Sequence, residues 1–238
     1  KKLINYELNN NRKIIIIINE INYSDVKISK LLKNYLIPIN DHMGFMRCIQ
    51  NSKYYELDLI INSDGGDIFS CDTIVNILLS FKGRKDAYIP YYAFSAASVI
   101  TFSCDNIYID KFAQLGPVDP QISVSIDNDS EEEYIPAKTL IKMNRRGLLD
   151  KELMISYYEG KLLYDDGIRT FKKILGNKYE NKVKNKIVTE FCSGKYPHSK
   201  PFNVKDLIDM GININVFIPE EISSISKLLL KLLNSYDI

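Results

Sequence analysis

The sequence predicts an α/β protein built on a mainly parallel sheet, and three observations carry that prediction. Residues 13–19 (KIIIIIN) and 57–62 (LDLIIN) are apolar without alternation, as strands covered on both faces are. Each run is followed by a turn and then by apolar residues at helical spacing, the order that repeated βα units require. Of the 238 residues, 45% are hydrophobic and 26% charged, which suits a globular chain with a sizeable core and excludes a disordered one.

The first strand is the β-branched run itself. Residues 24–36 open with a capping Ser24 and carry a helical pattern, and Pro38 ends that stretch. Residues 41–51 read as a short helix. After the strand at 57–62, Ser63-Asp64-Gly65-Gly66-Asp67 forms a turn into a helix over about 68–81, stopped by Lys82-Gly83. Residues 86–90 make a third strand, and a helix runs from near Phe94 to about Ser103. Short strands follow at 106–109 and 113–116. Residues 127–133 (DNDSEEE) are a solvated acidic loop. From Pro136 the pattern is mostly helical, with segments near 136–158, 161–175 and 179–192. A polar loop (SGKYPHSKP) leads to a short helix at 203–210, stopped by Gly211, then a strand at 212–217 and an amphipathic helix after Pro219. With no internal repeat and no linker, residues 1–238 are expected to form a single α/β domain with a helical C-terminal part.

Lys and Arg number 31 against 30 Asp and Glu, a net charge of +1. That balance argues against general nucleic-acid affinity, which needs a basic surface to displace counterions. Cys48, Cys71, Cys104 and Cys192 fit no zinc or redox spacing and are expected to be free thiols in a reducing compartment. No apolar run approaches the roughly 20 residues that cross a bilayer. The chain opens with Lys1, not Met, which leaves room for an upstream segment such as a membrane anchor. No GxxxxGK[ST] run is present, and no metal, nucleotide or other cofactor is implied.

Two loops after strands can carry chemistry. Gly65 and Gly66 let the backbone approach a ligand and turn N–H groups into the space above the sheet, although a glycine pair also makes a plain tight turn. The second loop, Tyr91-Tyr92-Ala93-Phe94-Ser95-Ala96-Ala97-Ser98, leads from strand to helix. There Ser95 is either an N-cap or a nucleophile favoured by the free N–H groups of the helix start. Ser95 lies 29 residues after Gly66, one βα unit and a strand. In a parallel sheet that spacing sets both loops side by side at the carboxyl ends of adjacent strands, where such folds bind ligands. The Gly66 and Ala96 amides are then placed to hold the oxyanion of a carbonyl attacked by Ser95. Ser98 is the rival nucleophile, but it falls a turn into the helix.

These segments carry a resemblance. Asn62-Ser63-Asp64-Gly65-Gly66, Tyr92-Ala93-Phe94-Ser95-Ala96-Ala97, the intact run Leu115-Gly116-Pro117-Val118-Asp119-Pro120-Gln121, and Ser193-Gly194-Lys195-Tyr196-Pro197-His198 together resemble the serine dehydrogenase proteinases. These are serine peptidases of the Clp/crotonase-like fold, related to signal-peptide peptidase A and to the Clp protease. The similarity runs from about residue 13 to 222. Two departures stand out: Asp64 where the family has Pro, which brings negative charge near the site, and Ala97 where it has Gly.

A neutral serine needs a positioned proton acceptor. Only two histidines are present. His42 falls in an early helix and reads as a surface residue far from the strand ends. His198 lies in the loop that, by the resemblance, borders the site, with Asp119 to orient it. Lys138 competes: the related signal-peptide peptidases use a Ser–Lys dyad, and Lys138 follows Ser95 by 43 residues at the start of a helix. The expected site is therefore Ser95 with His198 or Lys138, and Gly65, Gly66, Ala96 and Asp119 around the substrate.

The resemblance implies a serine endopeptidase acting on hydrophobic or membrane-associated proteins and a homo-oligomer; the cysteine usage adds the expectation of a cytoplasmic or membrane-associated location on the reducing side. Two alternatives stay open. One is a non-catalytic assembly or binding subunit of the same fold; the other is a crotonase-type acyl-CoA enzyme, which uses paired N–H groups without a nucleophilic serine.

Overall fold

The computed structural model describes residues 1–19, 32–124 and 133–234. In chain order the elements are α1 (Lys2–Asn10), β1 (Lys13–Ile18), a single 3-10 turn (Leu32–Asn34), β2 (Leu36–Pro38), α2 (His42–Gln50), β3 (Leu57–Asn62), α3 (Ile68–Ser80), β4 (Lys85–Ile89), β5 (Tyr92–Ala93), α4 (Ala96–Ser103), β6 (Asn106–Ile109), β7 (Gln114–Leu115), β8 (Gln121–Val124), β9 (Glu133–Pro136), α5 (Ala137–Arg145), α6 (Leu153–Leu175), α7 (Asn181–Cys192), β10 (Phe202–Asn203), α8 (Val204–Met210) and α9 (Glu220–Asn234). They fall into two compact units, Lys1–Leu115 with Phe202–Ile238, and Gly116–Pro201.

The first unit is built on a five-stranded sheet in the order β2-β1-β3-β4-β6, and every pairing in it is parallel. The expected mixed α/β architecture with a mainly parallel sheet is what is found. β1 sits between two partners and all six of its residues are buried, which is why it is isoleucine without alternation. Ile14, Ile16 and Ile18 pack with Tyr6 of α1 and with Ile222, Ile225 and Leu229 of α9. Ile15 and Ile17 face the other way and are equally buried. A small second sheet, β10-β7-β5, carries the loop that contains Ser95.

The amino ends of the strands hold a buried ionic cluster. Arg12 donates to Asp58 (2.8 Å) and Asp86 (2.9 Å), contacts Glu56 and donates to the Leu57 carbonyl. Tyr6 Oη donates to Asp58 at 2.7 Å. Burial pushes the Asp58 carboxyl up, against the pull of Arg12.

The second unit packs the antiparallel hairpin β8–β9 against α5 and α6, around Ile122, Val124, Leu140, Ile141 and Tyr164. Among the described residues no helix is long and apolar enough to cross a membrane.

Several boundaries differ from expectation. The helix expected over 24–36 lies largely outside the described residues, but its end is replaced by the turn at Leu32–Asn34 and by β2. Leu36 and Ile37 are buried beside β1, and pairing with that strand outweighs their helical spacing. The acidic loop 127–133 also lies outside the described residues except for Glu133, which opens β9. The break expected near 159–160 falls earlier, between α5 and α6: Asp150 accepts the Leu153 N–H and starts α6. Gly160 continues that helix because it packs against Ile122, Ala137 and Leu140. The strand expected at 212–217 is a single bridge between Asn215 and Tyr108. The strand expected at 113–116 is the two-residue β7.

Arg12→Met is expected to destabilise the protein by about 3–5 kcal/mol in urea unfolding, because Asp58 stays buried without its cation while Asp86 keeps only Arg84. A loss under about 1 kcal/mol counts against that role for the cluster.

Candidate active site

In the first unit the glycine turn and the serine loop are joined by backbone hydrogen bonds. Phe94 N–H donates to the Ser63 carbonyl at 2.9 Å, and Ser63 N–H to the Tyr92 carbonyl at 3.4 Å. This bridge continues β3 past Asn62 and sets β5 beside it. Gly65, at φ +116°, then lies directly against Ser95. A Cβ on Gly65 would sit 2.8 Å from Ser95 Cβ and 3.0 Å from the Phe94 carbonyl oxygen. Only a residue without a side chain fits that approach in that conformation.

Ser95 itself has φ 49° and ψ −123°. Among the described non-glycine residues only Asn11 shares a positive φ, and Asn11 is an ordinary left-handed helix end. Ser95 lies outside the left-handed helical well, in a region that costs a side-chain-bearing residue about 1–3 kcal/mol. Its hydroxyl makes no capping bond to α4, so a capping role does not explain the residue. Ser98, the rival, is fully buried and donates to the Ala93 carbonyl at 2.6 Å. That bond occupies its hydroxyl in fastening α4 to β5.

The amides of the glycine turn are almost all engaged by side chains. Asp64 N–H donates to Asn19 Oδ1 (2.8 Å), Gly65 N–H to Ser63 Oγ (3.1 Å) and Asp67 N–H to Asn40 Oδ1 (2.9 Å). Asp67 Oδ1 in turn caps α3 through the Ser70 N–H. Among the described residues, Gly66 N–H has no acceptor, and neither has Ala96 N–H at the start of α4.

Asn19 and Asn40 were not legible as site residues, because each stands alone after an apolar run. His42 also differs from expectation. With β2 in the sheet, α2 starts at the carboxyl edge. His42 is half-buried, its Nδ1 lies 3.0 Å from Ser70 Oγ, and its ring meets Phe69 edge-on. It is neither remote from the strand ends nor a free surface group.

The second unit gathers the other expected residues. Asp119 is buried, and its Oδ1 lies 2.9 Å from His198 Nδ1. Its other oxygen accepts from Gln121 Nε2 at 3.0 Å. An aspartate on Nδ1 fixes the ring and leaves Nε2 as the working nitrogen. Lys138 Nζ donates to Tyr164 Oη at 3.1 Å and stands 4.6 Å over that ring. Gly194, at φ +61°, lets the polar loop close on this group: a Cβ there would fall 2.8 Å from Lys138 Cβ and 3.9 Å from Asp119 Oδ2. Ser95, Gly65, Gly66 and Ala96 are thus assembled in one unit, and Asp119, His198 and Lys138 in the other.

The four cysteines are buried and in no disulfide, and burial pushes the Cys71 and Cys192 thiols up, which makes them poor nucleophiles. Among the described residues no group of His, Cys, Asp and Glu is arranged to hold a metal ion.

Comparison with known proteins agrees with this architecture. A variant of the 1510-N membrane-bound stomatin-specific protease superposes with a TM-score of 0.51 at 13% identity, covering 92% of this chain and 84% of that one. A second variant, in complex with a substrate peptide, gives 0.50 at 13% identity, covering 87% and 77%. At that identity the likeness concerns the fold. Two uncharacterized proteins of Methanocaldococcus jannaschii are each 29% identical, over 194 and 199 residues and 81% of this chain. The matches take in 63% and 65% of those proteins, so the chain spans less than two thirds of their length. The family model described as ClpP-like SDH-type serine proteinase matches residues 3–235, and the chain belongs to that family.

Proposed function

We propose that the protein is a serine endopeptidase in which Ser95 attacks the peptide carbonyl, the Gly66 and Ala96 amides hold the oxyanion, and His198, oriented by Asp119, moves the proton. The observation that carries this reading is the backbone of Ser95. A strained serine at a strand-to-helix turn, whose hydroxyl makes no capping bond to the helix that follows, is the geometry that presents a nucleophile above a sheet. Among the described residues neither the Gly66 nor the Ala96 amide has an acceptor, which supports the oxyanion role.

In this reading Ser95 Oγ bonds to the carbonyl carbon as its proton passes to His198 Nε2. The tetrahedral oxyanion accepts from the two amides. Collapse breaks the C–N bond, and the imidazolium returns the proton to the leaving amine. Water then attacks the acyl-enzyme by the same route and releases the acid and Ser95. Asp119 holds Nδ1–H throughout and stabilises the imidazolium.

The substrates in this proposal are apolar or membrane-associated polypeptides. Ile68 and Phe69, exposed in the first turn of α3 straight after the glycine turn, supply an apolar wall suited to them. Homo-oligomerisation is likewise proposed, supported by the exposed stripe Ile155, Tyr158 and Leu162 on α6. Lys138 is the second candidate base, favoured by its place beside Gly194 and Asp119. Its ammonium is occupied by Tyr164, which favours His198.

A fluorophosphonate probe is expected to label the wild type and to lose its target in Ser95→Ala. Ser98→Ala keeps the label but loses about 1–2 kcal/mol of stability with its buried hydroxyl bond. A wild type that neither takes the label nor cleaves casein points instead to a binding subunit or an acyl-CoA enzyme.

The base is read from rates against pH. An imidazole accepts a proton only when neutral, so kcat/KM falls on the acid side. His198→Ala is expected to cost about 10²- to 10⁴-fold and to remove that acid limb, while Lys138→Ala stays within a few-fold. The reverse pattern assigns the proton to Lys138.

The strain has its own signature. Ser95→Gly, which relaxes the positive φ, is expected to be more stable than Ser95→Ala by about 1 kcal/mol in thermal unfolding, with both inactive. Equal stability would show that the turn stores no strain.

A further inference from the structure

The glycine turn is exposed at Asp64, Gly66 and Asp67, where water could satisfy its amides. Side chains from two other strand ends take the Asp64 and Asp67 amides instead and leave the Gly66 amide between them open. Asn19 follows β1, whose last residue pairs with the end of β3, and its side chain reaches across to the start of the turn. Its Oδ1 accepts from Ser63 Oγ (2.6 Å) and Asp64 N–H (2.8 Å), and its Nδ2 donates to Asp64 Oδ2 (2.7 Å). Ser63 Oγ, so fixed, accepts the Gly65 N–H. Asn40 follows β2, two strands from β3, and takes the exit of the turn through Asp67 N–H at 2.9 Å. Its own carbonyl accepts from Ser70 Oγ at 3.0 Å, and Ser70 Oγ also meets His42 Nδ1 at 3.0 Å. A Cβ on Gly66 would land 2.1 Å from Asn40 Oδ1, so the Asn40 side chain fills the space behind that residue.

The peptide group that carries the Gly66 N–H therefore lies between two peptide groups held from outside, one by Ser63 and Asn19, the other by Asn40. We propose that Asn19 and Asn40 are positioning residues that hold the Gly66 amide in the orientation an oxyanion requires. This rests on the peptidase reading above. The two asparagines touch neither substrate nor Ser95 in this scheme. They act by removing the reorganisation that a mobile glycine pair would need at the moment of reaction.

The role predicts a loss confined to the chemical step. In the full chain, Asn40→Leu keeps the side-chain volume and removes the acceptor, whereas Asn40→Asp keeps an acceptor for Asp67 N–H. Asn40→Leu is expected to lower both kcat on an apolar fluorogenic peptide and the rate of fluorophosphonate labelling about 10- to 100-fold, with KM within about threefold. Asn40→Asp is expected to stay several-fold faster than Asn40→Leu at equal folded fraction. Asn19→Ala is expected to fall in the same direction and serves as the deciding variant if Asn40→Leu does not fold. Labelling at the wild-type rate in a folded Asn40→Leu, or a raised KM with unchanged kcat, overturns the proposal while leaving the peptidase reading intact. A wild type that neither turns over peptide nor takes the label removes both.

Discussion

The site depends on one close approach: the backbone of Gly65 lies where a side chain would collide with Ser95. That approach is produced by a pair of backbone hydrogen bonds, not by packing of side chains. Because Ser63 pairs with the segment 92–94, the residues that follow on each chain, Gly65 and Gly66 on one and Ser95 and Ala96 on the other, emerge together. A larger residue at 65 would separate the two loops. The amide and the hydroxyl would then be an ordinary turn and an ordinary helix start.

The strain at Ser95 is tolerated because what surrounds it is over-determined. On one side, α4 is tied to β5 by the buried Ser98 bond, and the Ala97, Ser98 and Val99 amides return to Phe94 and Ser95. On the other, the glycine turn is anchored through Asn19 and Asn40 to two further strand ends. The sheet below is rigid, with β1 buried on both faces. The buried ionic cluster of Arg12, Asp58 and Asp86 sits at the amino edge, and the strained serine sits past the carboxyl edge. Buried charges that must be matched for stability are thus kept away from the edge where, in the proposed reaction, negative charge develops transiently.

The parts of this arrangement that were legible in the sequence were those carried by local composition. Five isoleucines in a row give a doubly covered strand. The spacing from Gly66 to Ser95 gives neighbouring loops, and the resemblance of the short runs around Asp119 and His198 gives the family. What was not legible depends on tertiary partners. Leu36 to Pro38 looks like the end of a helix until β1 offers a free edge. Gly160 looks like a break until Ile122 and Leu140 pack against it. Asn19 and Asn40 bear no motif at all: an isolated asparagine after a strand is common, and only the register of β1, β2 and β3 brings both onto one turn. Ser98 shows the converse. Its sequence context mimics a nucleophile, but it is buried with its hydroxyl on the Ala93 carbonyl.

Asp64 is the departure that would most directly oppose the chemistry, since it places a carboxylate one residue before the glycine pair. Burial, and after it the Asp64 charge, pushes the Tyr92 hydroxyl in the serine loop up. The strength of that charge, however, is limited by exposure and by Asn19, whose Nδ2 donates to Asp64 Oδ2. Two unit charges about 4 Å apart in water interact by about 1 kcal/mol, and salt screens them further. A well-placed oxyanion donor contributes about 3–4 kcal/mol to the transition state. In the proposed oxyanion hole, with two such amides on the other side of the balance, the carboxylate weakens the hole without cancelling it. Its tether to Asn19 turns one of its oxygens toward the strand end, so the residue that adds the unfavourable charge is held by the same asparagine that fixes the entrance of the turn.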